Sequence, residues 1–451
     1  MTSDGTTPTA PALKPSSVNT ASVFAIAGPA MAANLTTPLI GIVSTIAIGR
    51  LQDPTFLGGV AIASVIFDCL FWLFAFLRMG TLAFTAQALG AGETSEIQIL
   101  LWRGLVLAAL TGFVIVALQW PLTHGLLRAM GGSEPVTRAA ETYIAVRIWS
   151  APLALANYVI LGWLIGRSRP RLALGIQIAI NLTNMAATVV LVLVLNAGIM
   201  GAAAAAVIAE GVGLWLGLLV ARRLGGAMLT IQWASLFNRT KMTRMLAVNR
   251  DIKIRTAALI AALLFFNAQG ARAGDVTLAA NAVLNNFLLL SAFFLDGLAN
   301  AAEQLCGQSY GARDPVLFAG AKRLVVLWGL AFAVAVTVIF ALFGGALIDL
   351  MTASADVRQG ARDYLGFVVL APGFAVLAFA YDGIYVGATW AREMRNLMIL
   401  SLALFLVAWW VLRPFGNSGL WSALLVFYAA RSGLQALRYP ALFHASFVQR
   451  L

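Results

Sequence analysis

Long apolar runs separated by short polar segments dominate the pattern of this chain. Twelve of these runs are long enough to cross the roughly 30 Å hydrocarbon core of a bilayer as helices. Backbone groups in lipid must be hydrogen-bonded within their own segment, so we predict an all-α membrane protein. The predicted spans are 23–49, 57–79, 100–121, 142–166, 172–195, 199–221, 252–271, 278–310, 324–348, 361–388, 396–412 and 419–443.

The second half of the chain repeats the first half at a constant offset of 221 positions. The matches are Gly49 with Gly270, Gln87 with Gln308, Gly90 with Gly311, Tyr143 with Tyr364, Gly162 with Gly383 and Gly166 with Gly387. Each half holds six spans, an even number, so both halves have the same orientation in the membrane. We therefore predict two six-helix bundles related by an axis along the membrane normal, with a cleft between them. This architecture is typical of carriers that work by alternating access.

The predicted domains follow from this repeat and from the polar segments around it. Residues 1–20 are polar and proline-rich, which favours a disordered cytoplasmic N-terminus. Residues 21–222 form the predicted N-lobe, and residues 251–451 form the C-lobe. The basic segment 223–250 is the predicted cytoplasmic linker between the lobes.

Composition and charge support a membrane protein and set its predicted orientation. Hydrophobic residues make up 61% of the chain and charged residues only 11%. With both termini placed in the cytoplasm, twenty of the 30 Lys and Arg residues lie on the cytoplasmic side and seven on the outer side. This excess follows the positive-inside rule and accounts for most of the net charge of +12. We expect contacts with membrane lipids, and no binding of nucleic acid.

The sequence lacks several common catalytic motifs. A GxxxxGK[ST] phosphate loop, a CxxC pair and an HExxH motif are all missing from it. We therefore expect a protein that is not an enzyme, uses no cofactor or metal, and takes energy from a gradient of H⁺ or Na⁺. Cys69 and Cys306 fall inside predicted spans, where we expect packed apolar side chains.

Acidic residues inside the predicted spans are the candidates for ion coupling, because a charge in the membrane is costly. Asp296 and Asp382 lie deep in C-lobe spans and lack an obvious basic neighbour in sequence, so we expect them to carry the coupling. Asp68 is a third candidate, and Glu210 lies midway along the sixth span. The alternative remains open that these acids pair with arginines and hold helices together.

Two further charges lie near the cytoplasmic ends of repeat-related helices. Glu303 is two turns from Asp296 on the eighth span, and Arg78 lies at the end of the second span. We predict that they form an ion pair across the cleft, where it would act as a gate and not as a carrier site.

Five segments stand out along the chain: NLTTPLIGIVSTIAIGRL, RIWSAPLALANYVILGWLIG, NRDIKIRT, GARAGD and FFLDGLANAAEQLCGQSYGAR. They resemble the MATE family of multidrug and toxic compound extrusion transporters, and most closely its DinF-type bacterial branch. The resemblance covers about residues 20 to 440. It implies two six-helix bundles around a central cleft, and export of organic substrates against inward flow of H⁺ or Na⁺.

The chain departs from this family pattern in the N-lobe. The resemblance implies a carboxylate at the position of Ser44, and an acid four residues after Asn184, where Thr188 stands. A hydroxyl does not titrate near neutral pH, so Ser44 and Thr188 cannot exchange protons there. We therefore expect coupling to rest on the C-lobe acids. The side chains of Ser44, Asn184 and Thr188 nevertheless offer neutral oxygens to Na⁺.

The sequence thus predicts a monomeric secondary transporter of a bacterial inner membrane that exports small organic substrates, cationic or amphipathic. We expect the first, second, seventh and eighth spans and their neighbours to line its cleft. Candidate aromatic contacts for substrate are Phe67, Phe71, Trp72, Phe293, Phe294 and Tyr381. Two alternatives stay open: a flippase for lipid-linked precursors, which would need a more basic cleft, and a non-transporting sensor derived from a transporter.

Overall fold

The computed structural model describes residues 18–51, 53–225 and 233–448, and within these ranges every regular element is helical. The first half contains α1 (Thr20–Gly49), α2 (Pro54–Leu73), α3 (Phe76–Gly90), α4 (Thr94–Ala117), α5 (Gln119–Met130), α6 (Glu134–Arg147), α7 (Ala151–Gly166), α8 (Pro170–Val189) and α9 (Gly198–Arg223). The second half contains α10 (Trp233–Leu236), α11 (Arg239–Arg272), α12 (Asp275–Gly311), α13 (Pro315–Met351), α14 (Ala355–Gly387), α15 (Ala391–Leu412) and α16 (Gly416–Phe447).

The predicted all-helical membrane architecture is confirmed. Eleven helical stretches are long and apolar enough to cross a membrane, and the last of them, Ala391–Phe447, contains both α15 and α16. The described part of the chain therefore contains twelve predicted spans. The second span is broken between α2 and α3 at Phe74 and Ala75, and the fourth is split by a 3-10 turn, Ile148–Ser150.

Local sequence signals set where several helices begin. Asn19 caps α1 by accepting a hydrogen bond from the Ser22 amide at 2.9 Å. The α2 and α13 helices both begin at an Asp-Pro pair, with the aspartate as the cap and the proline as the first helical residue. The Thr55 hydroxyl and amide both donate to Asp53, and they hold the pKa of that carboxyl below its usual range.

Part of the predicted domain division falls outside the described residues. Residues 1–17 of the predicted N-terminal segment and residues 226–232 of the predicted linker lie there. The rest of the linker contains α10 and the start of α11, which continues without a break into the seventh span. Buried Arg103 of α4 holds α10 by donating to the carbonyl oxygens of Ser235 and Leu236, each at 3.0 Å.

Close glycine contacts repeat between the two lobes at the offset seen in the sequence. Gly162 packs against the backbone of Arg78, and Gly383 packs in the same way against Ala299. A side chain at either glycine would collide with the facing carbonyl oxygen. The repeated glycines therefore mark a close helix approach within each lobe.

A second set of glycines joins the two lobes. Gly90 lies against the backbone of Gln308, and Gly311 lies against the backbone of Gln87. Each glycine thus contacts the residue that is equivalent to its partner's neighbour in the other lobe. A two-fold axis between the lobes produces such reciprocal contacts. The lobes consequently touch at these helix ends, which we call the closed end.

The surface away from the lobe contacts is apolar, as lipid contact requires. Large exposed hydrophobic side chains occur on most spans, including Leu110, Phe113, Trp215, Val334, Leu342, Val407 and Trp410. A continuous exposed apolar surface of this kind would be a liability in water. The described part of the chain is therefore built to lie within a bilayer.

Candidate functional site

A cavity of about 370 Å³ lies between the N-lobe and α12. The residues that line it from α1 are Ile26, Pro29, Ala30, Ala33, Asn34, Thr37 and Ile40. From α8 they are Pro170, Ala173, Leu174, Gln177, Ile180, Asn181 and Asn184. Spans 2, 4 and 6 and α12 complete the wall, and α11 of the seventh span does not line it. The expectation that the seventh span lines the cleft is thus wrong for this cavity.

Two arginines and two acidic residues line the same cavity: Arg78, Arg147, Glu210 and Asp296. None of them forms an ion pair with another within 4.0 Å in the described part of the chain. Charged groups that face a cavity without pairing are available to a bound ion or molecule.

Glu210 of α9 is fixed by an asparagine of α7. The Asn157 Nδ2 atom donates to Glu210 Oε2 at 2.6 Å and to the Glu210 carbonyl oxygen at 2.9 Å. The helices approach closely here because Gly213, one turn along α9, lies directly against Asn157 and Ile180. Glu210 was among the acids noted in the sequence, but its place on this cavity had no local sequence signal.

The two arginines of the cavity are held by neutral groups. Arg147 donates to the Tyr143 hydroxyl at 2.8 Å, and its guanidinium lies 4.8 Å from the centre of the Phe67 ring. Arg78 crosses from the N-lobe to α12, where it donates to Asn300 Oδ1 at 2.5 Å. Both charges therefore remain uncompensated by a direct carboxylate partner.

The predicted gate pair does not form in the described structure. Arg78 bonds to Asn300, one turn away from Glu303 on the same helix, and not to Glu303 itself. The Glu303 side chain is buried, with Oε2 lacking a hydrogen bond among the described residues. The contact between Arg78 and α12 across the lobes was expected, but its partner was predicted wrongly.

The predicted N-lobe group of hydroxyl and amide side chains is only partly assembled. Thr188 is buried, and its hydroxyl donates to Asn184 Oδ1 at 3.5 Å. Asn184 lines the cavity. Ser44 is half-buried on α1 and makes no hydrogen bond to either residue in the described structure.

A different amide, which sequence reasoning missed, links α8 to α1. Asn181 is buried and donates to the Thr36 hydroxyl at 2.6 Å, and Gln177 donates to Asn181 Oδ1 at 3.0 Å. Asn181 is one turn before Asn184 and also lines the cavity. The pattern NLTN at the centre of an apolar span was the available signal.

Asp382 lies in a buried ion cluster of the C-lobe. Arg255 of α11 and Arg431 of α16 both pair with its Oδ2 atom, the latter at 2.7 Å, and Gln435 donates to its Oδ1 atom at 2.7 Å. The exposed fractions of the Arg255, Arg431 and Asp382 side chains are 8%, 3% and 8%. Asp382 has no obvious basic neighbour in sequence, but helices distant in sequence bring two arginines to it.

The other two coupling candidates differ in their surroundings. Asp296 is half-buried, lines the cavity and makes no hydrogen bond within the described residues. Asp68 is exposed on α2 and does not line the cavity. Of the three candidates, Asp296 is therefore the one in contact with the cleft.

The six aromatic candidates do not form one stripe. Phe71 lines the cavity, and Phe67 is fully buried beneath Arg147. Trp72 is 43% exposed on the outer surface of α2. Of these three rings, only that of Phe71 lines the cavity.

The remaining three aromatic candidates are engaged in packing. Phe294 packs on Phe332 of α13, with ring centres 4.8 Å apart. Tyr381 packs on Tyr439 at 5.7 Å. Phe293 is half-buried, and its carbonyl oxygen accepts a hydrogen bond from Asn34 of α1 at 3.1 Å, which links the lobes.

The closed end carries polar links between the lobes in addition to the glycine contacts. Gln87 Nε2 donates to the Gly387 carbonyl oxygen at 2.8 Å, and Gln304 donates to the Ser168 hydroxyl at 2.6 Å. Arg244 of α11 donates to Gln87 Oε1 at 3.3 Å. A larger cavity of about 1070 Å³ lies next to the closed end, and Arg244 is part of its wall.

Comparison with known proteins identifies the family. The MatE family model matches residues 29–191 and 253–412. The chain belongs to this family. The predicted MATE resemblance is confirmed, and it includes the DinF-type branch. Members of the MATE family are transporters of multidrug and toxic compounds, not enzymes.

Two curated relatives cover nearly the whole chain. DNA damage-inducible protein F of Escherichia coli (strain K12) is 38% identical over 418 residues, which are 90% of this chain and 89% of that protein. The probable multidrug resistance protein NorM of Caulobacter vibrioides is 27% identical over 445 residues, covering 92% of this chain and 90% of that protein.

Solved MATE structures share the fold. A MATE crystal structure in the bent conformation has a TM-score of 0.85 at 19% identity, covering 94% of this chain and 95% of the other. The outward-facing conformation of a multidrug resistance MATE transporter has a TM-score of 0.82 at 20% identity, covering 94% and 96%. This MATE chain therefore has the fold of a multi-pass membrane transporter.

Proposed function

We propose that this chain exports cationic or amphipathic organic molecules from the cytoplasm by alternating access, coupled to inward flow of H⁺ or Na⁺. The observation that carries the proposal is the cavity between the N-lobe and α12, which combines acidic groups, a phenyl ring and a closed end. An amphipathic cation would place its apolar part on Phe71 and its charge near Asp296 or Glu210.

The orientation belongs to this proposal. With both termini cytoplasmic, as the charge distribution predicts, the closed end faces the cytoplasm and the described conformation is outward-facing. Substrate would leave from this state, and separation of Gly90 from Gln308 would open the opposite state. We further propose a monomer in a bacterial inner membrane that uses no cofactor and binds no nucleic acid.

The surroundings of the C-lobe acids support Asp296 as the coupling residue in that lobe. Asp296 faces the cavity without a hydrogen-bonding partner in the described chain, whereas Asp382 accepts three bonds from cationic and amide donors. A group that exchanges an ion must reach the cavity water, and Asp296 does so. Asp382 keeps a place in coupling only if its cluster opens during transport.

The test is accumulation of ethidium in cells that carry the protein, with and without an uncoupler. We expect the wild-type protein to lower ethidium levels only while the gradient persists, and Asp296→Asn to abolish this effect at normal protein levels. Asp349→Asn, at the exposed end of α13, is the matched control and should behave like wild type. Ethidium levels that are unaffected by the protein would contradict the export proposal and favour a flippase or a sensor.

A further inference from the structure

The N-lobe retains one acid on the cavity wall. Glu210 lies on α9, and the hydroxyls of Ser44 and Thr188 do not titrate near neutral pH. Glu210 and Asp296 are the carboxylates among the lining residues, and they belong to opposite lobes. We propose that Glu210 is a proton-binding carboxylate of the N-lobe, positioned by Asn157 and additional to Asp296. This inference rests on the proposed ion-coupled export.

The contact with Asn157 is what makes this acid able to change state. Both N–H groups of the Asn157 amide are used on Glu210, one on its carboxylate and one on its carbonyl oxygen. The Oδ1 atom of Asn157 is buried and has no hydrogen bond in the described structure. A buried acceptor without a donor costs free energy, so a donor brought near it would be favoured.

Protonation of Glu210 supplies that donor. A carboxylate accepts hydrogen bonds only, whereas a carboxylic acid also donates one. Rotation of the Asn157 amide by half a turn would place Oδ1 next to the protonated carboxyl group. The same rotation would release the Glu210 carbonyl oxygen, and with it one link between α7 and α9. Protonation is therefore coupled to the packing of two helices that form the cavity wall.

The charged groups around Glu210 come from several helices. Arg147 of α6 and Tyr158 of α7 interact with it electrostatically. Arg78 of α3 and Asp296 of α12 share the cavity with it. The residues of α1 and α8 that line the cavity are uncharged. Glu210 thus shares the cavity with two guanidinium groups and forms a direct ion pair with neither in the described residues.

These surroundings favour a proton over Na⁺ as the ligand. The Asn157 amide donates an N–H group to the Glu210 carboxylate, and the Arg147 guanidinium interacts with it electrostatically. Na⁺ would require several oxygen ligands around it, whereas a proton needs one carboxylate oxygen. A proton from cavity water would bind one carboxylate oxygen, neutralise the side chain, and return to water when the cavity opens to the other side. Neutralisation also reduces the cost of losing water when the cavity closes.

The experiment compares Glu210→Gln and Glu210→Asp with wild type in proteoliposomes. Glu134→Gln, an exposed N-lobe acid on α6, is the matched control. We expect Glu210→Gln to lose ethidium accumulation driven by a pH gradient, while exchange of ethidium down its own gradient persists. Glu134→Gln should keep both activities. Accumulation by Glu210→Gln at the wild-type level would overturn the inference.

Infrared spectroscopy of the same reconstituted proteins gives a readout that does not need transport. On acidification, wild type should gain a protonated-carboxyl C=O band that Glu210→Gln lacks and Glu210→Asp shifts in frequency. A band that is unchanged in both variants would overturn the inference, even if transport is lost. If wild type gains the band but does not accumulate ethidium, the export proposal fails and the protonation of Glu210 stands.

Discussion

Replacing Asp382 by Asn removes one charge from the buried cluster of the C-lobe and little else. The Asn side chain keeps the shape of Asp and one carbonyl oxygen, so Arg255 or Arg431 still finds an acceptor. The charge that balances the two guanidiniums is lost, however. We therefore expect the variant to lose stability.

The magnitude follows from burial. The Arg255, Arg431 and Asp382 side chains are 8%, 3% and 8% exposed, so water screens their interaction little. Breaking a buried ion pair by removing one partner destabilises a protein by about 3–5 kcal/mol, because a buried charge is left uncompensated. Gln435 also donates to Asp382 Oδ1 at 2.7 Å, and its bond would weaken with the lost charge.

The assay is thermal unfolding of purified protein in detergent, with Asp349→Asn as the control. Asp349 also pairs with two arginines, Arg358 and Arg362, but these side chains are 36% to 43% exposed. The control should therefore cost about 0–1 kcal/mol. In an Asp382→Asn background, Arg255→Met should cost less than it does in wild type, since it removes a charge that has lost its partner.

One result would refute this reasoning. If Asp382→Asn unfolds at the same temperature as Asp349→Asn, the cluster does not stabilise the C-lobe. If that variant also loses uphill transport, Asp382 exchanges the coupling ion, as its position in the sequence first indicated.

Three further outcomes are expected. Ser133→Cys should be labelled by membrane-impermeant reagents from the outside and Thr240→Cys from the inside, and the opposite pattern would reverse the proposed orientation. Ser44→Ala should cost about 1 kcal/mol or less and leave the pH profile of transport unchanged, because it removes at most one hydrogen bond; loss of coupling in this variant would place an ion site at Ser44. Gly90→Ala should force the closed end apart and speed alkylation of buried Cys306, whereas Gly433→Ala, with open space around it, should not; equal alkylation rates would show that the lobe contact yields without opening.

The sequence predicted the fold well because the membrane leaves few solutions for an apolar chain. Twelve runs of sufficient length imply helices, and a constant offset between Gly162 and Gly383 implies two equivalent lobes. The structure explains why these glycines carry the repeat. Each of them faces a backbone carbonyl oxygen at a helix contact, where a side chain does not fit. Signals of this kind are local, so one sequence is enough to detect them.

The pairing of charges was not predictable in the same way. Arg255 lies near the start of the seventh span, among other basic residues, and resembles a topological charge that faces the cytoplasm. Its partner Asp382 is 127 positions away along the chain. Whether an arginine lies in water or pairs in the core depends on which helices pack together. This information is tertiary, and no spacing along the chain reveals it.

The difference between the lobes bears on where coupling can occur. In the C-lobe, Asp382 is saturated by Arg255, Arg431 and Gln435, so its hydrogen-bonding capacity is used within the protein. Around the cavity, Glu210 and Asp296 face open space instead. A group that must bind and release an ion needs an accessible position and two states of similar free energy, and a saturated buried cluster offers neither. If both lobes arose from one repeated unit, their polar residues have since diverged: one set stabilises helix packing, and the other remains available to ligand. Coupling is therefore expected at the boundary between the N-lobe and α12, where both accessible acids lie.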